Sequence, residues 1–106
     1  MAYKYSVGRR DFGDIDYEGD DNTQIDFDVD FISLVTNGAQ MLTVSGSNVG
    51  IGTGTPTAAL TLNATDPTIR FEENGTFKAT IGINSSDNIL IENKSVNKHI
   101  VLKVND

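Results

Sequence analysis

Residues 25–31 read Ile25-Asp26-Phe27-Asp28-Val29-Asp30-Phe31. Apolar and acidic side chains alternate with a period of two, the pattern of a strand with one buried face and one wet face. The phase then changes, because Ile32 and Leu34 continue on the other parity. A β-bulge or bend is expected at Phe31-Ile32. Asn37-Gly38 follows, a strong signal for a two-residue hairpin turn.

Further along, short alternations recur at Leu42/Val44, Val49/Ile51, Ala58/Leu60/Leu62 and Ile69/Phe71. After a second Asn-Gly pair, Asn74-Gly75, come Phe77/Ala79/Ile81/Ile83, Ile89/Ile91 and Ile100/Leu102/Val104. Turn residues separate them, and no stretch carries a helical period. The expectation is an all-β chain of short antiparallel strands and hairpins.

Charge is unevenly placed. The 106 residues carry 8 Lys+Arg against 15 Asp+Glu, a formal charge of −7. Nine of the acids lie within residues 1–31, against Lys4, Arg9 and Arg10. Residues 1–22 read as an extended acidic arm or loop. Tyr3, Tyr5, Phe12, Ile15 and Tyr17 within that arm need a surface to bury against, one that another subunit can supply. The expected division is an attachment arm with the first strand over 1–31 and a β knob over 32–106.

Composition excludes several classes. There is no Cys, hence no disulfide, no zinc–thiolate site and no cysteine nucleophile. The net negative field disfavours nucleic acid. No apolar run reaches the ~20 residues a spanning helix needs, so no membrane partner is expected. The start of the chain lacks the apolar segment of a signal peptide, so synthesis in a cytoplasm is expected. A chain of this size buries only about two-thirds of its unfolded surface. Short strands with one or two aliphatics each make thin sheets. Pairing such sheets between subunits is the simplest way to cover their apolar faces, and a homo-oligomer, most simply a trimer, is expected.

One segment carries family information: Asn48-Val49-Gly50-Ile51-Gly52-Thr53, with Pro56 and Leu60. It resembles an N-V-G-I-G-T-x-x-P-x-x-x-L element of bacteriophage tail fibres, tailspikes and related virion appendages. The likeness covers about twenty residues, 42–62. It implies an intertwined trimeric β-prism or knob, a phage capsid or tail protein as partner beside the homotrimer itself, and a place in the virion. Gly50 and Gly52 permit close backbone approach, and Val49 and Ile51 alternate with them, so these four residues are the expected packing at a trimer axis. The functional expectation is a non-enzymatic capsid decoration or cement protein held by its N-terminal arm. The alternative is a tail fibre or fibre-tip module that binds a host receptor or another tail protein.

Other chemistry is thinly signalled, and no cofactor is expected. Asp14-Ile15-Asp16-Tyr17-Glu18-Gly19-Asp20 imitates the start of a calcium loop, but the twelfth position is Ile25 where a bidentate Glu is required. The reading adopted is a solvated acidic loop with no metal. Gly50-Ile51-Gly52-Thr53-Gly54 lacks the Lys-Ser/Thr of a phosphate loop. Asn-x-Ser/Thr triplets at Asn63, Asn74, Asn84 and Asn93 are read as turn chemistry. The single His, His99, is expected at a surface or interface. No spacing selects a carboxylate pair for glycan hydrolysis, and no catalytic residue is assigned.

Overall fold

The computed structural model describes residues 13–105. Among them are nine strands and no helix long and apolar enough to cross a membrane. The chain is all-β and divides after Asn63 into two units.

The first unit is a six-stranded sheet whose spatial order follows the chain. Its strands are β1 (Ile15–Tyr17), β2 (Asp20–Asp28), β3 (Phe31–Thr36), β4 (Ala39–Ser45), β5 (Asn48–Ile51) and β6 (Leu60–Leu62). All neighbours are antiparallel except β5 and β6, which run parallel.

The change of phase near Phe31 has a different cause from the expected bulge. The chain reverses at Val29-Asp30, with Asp30 in the left-handed region at φ 54°, and Phe27 pairs with Ile32. A two-residue hairpin places odd positions opposite even ones, so the apolar parity must flip across it. Val29, apolar in the alternation, is a turn residue and is exposed. Asn37-Gly38 makes the next hairpin with both residues at positive φ, 51° and 72°. That is the backbone these two residue types tolerate best.

Residues 15–17 and 20–28 are strands, so the described part of the acidic segment is largely sheet rather than loop. The expected boundary after Phe31 falls inside β3, where Phe31 pairs with both Asp28 and Ser45. Tyr3, Tyr5 and Phe12 lie outside the described residues.

The second unit is a three-stranded antiparallel sheet of β7 (Thr68–Glu73), β8 (Thr76–Ile83) and β9 (Ile89–Asn93). Asn74-Gly75 forms its first turn at φ 51° and 79°. Asn84 builds the second, its Oδ1 accepting the N–H groups of Ser86 (3.0 Å) and Asn88 (3.1 Å). One face carries Ile69, Ile81 and Ile91 in register, flanked by Phe71/Ala79 and Ile83/Ile89. Elsewhere on this unit Arg70 lies 3.9 Å over the Phe77 ring while its Nε meets Glu72 at 2.9 Å.

The expected last strand does not form. Ile100, Leu102 and Val104 alternate, yet residues 98–105 pair with no strand among the described residues. Alternation gives a segment the capacity to be a strand, but the hydrogen bonds must come from a neighbour. After β9 the Lys94 N–H donates to Lys78 O (2.8 Å), and Asn97 turns the chain at φ 59°. Asn93 Nδ2 then donates to His99 O at 2.9 Å. His99 is exposed, as is every residue from Val96 to Asn105.

Candidate functional site

The six-stranded sheet has two unlike faces, and the register shows which residues share each. One row across it is Ile15–Ile25–Leu34–Leu42–Ile51–Leu62. The adjacent row is Phe27–Ile32–Val44–Val49–Leu60. Eleven apolar side chains thus form one continuous face, and eight of them are between 38% and 53% exposed. Eight half-exposed side chains amount to an area on the order of 600 Å², at the top of what soluble monomers leave uncovered.

The opposite face is polar and is the one this chain buries. Asp26, Ser33, Thr43, Gly50 and Thr61 are paired across it. Ser33 and Thr43 are fully buried, and their hydroxyls are 3.2 Å apart. Val35 is the one buried apolar side chain among the described residues, at 8% exposure. The arrangement inverts ordinary globular packing, which hides apolar surface and wets polar surface.

The connection between β5 and β6 explains part of this inversion, and with it the glycines. Only residues 52–59 join these parallel strands, a shorter link than the dozen or more residues such crossovers usually need. Each motif residue has a task in this tight return. Asn48 Nδ2 donates to Pro56 O (3.2 Å), and Thr53 Oγ1 accepts the Thr55 N–H (3.1 Å). A Cβ on Gly50 would lie 2.7 Å from Thr53 O and 3.3 Å from the Pro56 Cβ, so the returning loop lies directly over that glycine. Gly52 has φ +78°, and a Cβ there would collide with Asn63 O. Thr61 Oγ1 accepts the N–H groups of Thr57 and Ala58, both at 3.1 Å. Asn63 closes the unit, its N–H donating to Ile51 O (2.8 Å) and its Nδ2 to Gly52 O (3.3 Å).

Of the four residues expected at a trimer axis, Val49 and Ile51 therefore belong to the open apolar face. Gly50 and Gly52 make their close approaches to Thr53, Pro56 and Asn63 of the same chain. The intrachain loop is a sufficient physical reason for both glycines, one that the spacing alone did not reveal.

At the other end of the sheet, Ile15 and Tyr17 stand on the edge strand β1, 50% and 70% exposed. They border a shallow concavity of about 410 Å³ with Ile25 and Leu34. The surrounding acids serve the backbone. Asp14 Oδ1 accepts the Phe27 N–H (2.9 Å), and Asp20 accepts from Asn22 N (3.2 Å) and Thr23 Oγ1 (3.0 Å). Among the described residues no three acids or histidines come together as metal ligands. Asp26 has its carboxyl raised above the usual 3.8 by partial desolvation, then by its hydrogen bond with Asp14 and by the nearby charges of Asp14 and Asp28.

Compared with known proteins, the chain matches no family model, no curated protein and no solved structure.

Proposed function

We propose that this chain is a non-enzymatic structural protein of a bacteriophage virion, assembled as a small homotrimer. In this reading it decorates the capsid and attaches through its acidic N-terminal region. The observation that carries the reading is the inverted sheet: the chain covers much of its own polar face and leaves exposed eight of the eleven residues on its apolar face. Copies placed face to face around an axis would bury that surface, and Val49 and Ile51 would lie within the contact. The likeness of Asn48–Leu60 to fibre elements supplies the virion context, and the net charge of −7 suits docking on a basic capsid or adaptor surface.

The same likeness favours the second reading, a tail fibre or fibre-tip module. Sugar-reading tips generally offer open aromatic platforms; the Phe77 ring is roofed by Arg70 at 3.9 Å, with Lys94 at 5.7 Å, whereas Tyr17 and Phe71 are exposed, so copy number and not the aromatics decides between the readings. Quantitative counting in purified particles separates the two: decoration predicts stoichiometry comparable to the capsid subunits, a fibre tip only a handful of copies. Absence from particles would contradict both.

A further inference from the structure

We infer that the C-terminal segment Ile100–Val104 adds as a strand to the outer edge of β1 in a second copy of this chain, an association held in register by Lys103 against Asp14 of that edge. The inference rests on the self-association part of the proposed function and is independent of any virion role.

Two incomplete features of the described residues carry it. The first is a strand without a sheet. Ile100, Leu102 and Val104 lie on one parity and His99, Val101 and Lys103 on the other, and positions 101, 102 and 104 are 67–92% exposed. The second is an edge without a neighbour among the described residues, where β1 pairs with β2 alone. Asp14 extends that edge by one residue, because its side chain ties it to the Phe27 N–H. An unpaired edge is a template for another strand, and main-chain hydrogen bonds supply much of the affinity in such additions.

Charge selects this edge over the others. Residues 13–30 hold eight acids and no Lys or Arg, whereas past Glu92 the chain holds Lys94, Lys98 and Lys103 against Asp106 alone. The other edges lack such complementarity. β6 carries no charge, β7 mixes Arg70 with Glu72 and Glu73, and on the β9 side Glu92 is already paired with Lys94 at 2.6 Å. An antiparallel register with Leu102 opposite Ile15 places Lys103 opposite Asp14, Val101 opposite Asp16 and Ile100 opposite Tyr17. His99 then faces Glu18. Ile100, Leu102 and Val104 would continue the apolar face beyond Ile15, and one pair of opposite charges, Lys103 and Asp14, would sit as direct cross-strand neighbours.

The absence of native Cys gives a clean test. Full-length chains carrying Leu102→Cys are co-refolded with full-length chains of different mass carrying Gly13→Cys, Ile15→Cys or Tyr17→Cys, then oxidised. A mixed interchain disulfide is expected, strongest with position 15, because directly paired residues come within disulfide reach. In parallel, Lys103→Glu is expected to weaken association about tenfold, and Asp16→Lys in the same chain, which leaves the Asp14–Phe27 bond intact, to restore it. Assembled protein that yields no mixed disulfide at any of the three positions, and whose association ignores the Lys103 reversal, overturns the strand addition while leaving self-association standing. A full-length chain that is monomeric overturns both.

Discussion

Gly52 shows how a single missing Cβ can decide whether the first unit closes. Its φ of +78° is costly for any side chain, and the Asn63 carbonyl occupies the space a Cβ would take. Gly52→Ala is expected to destabilise this unit by about 2 kcal/mol or more, read as a lower denaturant midpoint. Asp26 is a second residue whose effect has a definite sign. Its carboxyl is raised above 3.8, so the folded state keeps that proton to higher pH than the unfolded state does. Stability from this group is present below the unfolded value and is lost as pH rises through the raised folded one. Asp26→Asn is therefore expected to raise the melting temperature near neutral pH, with the gain vanishing by about pH 3. An unchanged difference across that range would contradict a carboxyl raised by desolvation and by its acidic neighbours.

Among the elements, the β3–β4 hairpin carries a polar pair where a core would ordinarily be apolar. Ser33→Ala leaves the buried Thr43 hydroxyl without its partner and is expected to cost about 1–3 kcal/mol. Adding Thr43→Val should recover most of that loss, because neither polar group then remains; equal costs for the single and double variants would contradict the pairing. Elements of this kind were partly legible in the sequence. Period-two alternation located β4 through β9 and the Ile25–Leu34 stretch that folds as most of β2 and β3, and both Asn-Gly turns formed with the backbone they imply. Three things escaped the pattern. The parity flip at Val29-Asp30 and a bulge leave the same trace in one dimension. β1 is only three residues long and lies in an acid-rich stretch. Ile100–Val104 has the alternation of a strand but no partner strand among the described residues, and alternation reports side-chain faces rather than hydrogen-bond neighbours. The motif residues were legible as a group, while their role in an eight-residue parallel return depended on contacts with Asn63 and Pro56 that spacing does not encode.

For the whole molecule, the governing fact is that one apolar side chain, Val35, is buried among the described residues, while the six-stranded sheet leaves its aliphatic face open. Small domains already have little stability to spare, and an uncovered face of this extent calls for a partner. Leu42→Glu, placed near the middle of that face, is expected to dissociate the proposed homotrimer with the β-sheet signal of the protomer retained wherever the protomer still folds. The most direct measurement is the sedimentation mass of the unmodified full-length protein at low micromolar concentration. The account predicts a folded species of three times the 11.4 kDa protomer mass. A well-folded species at 11.4 kDa, with no dependence of its stability on concentration, would contradict it.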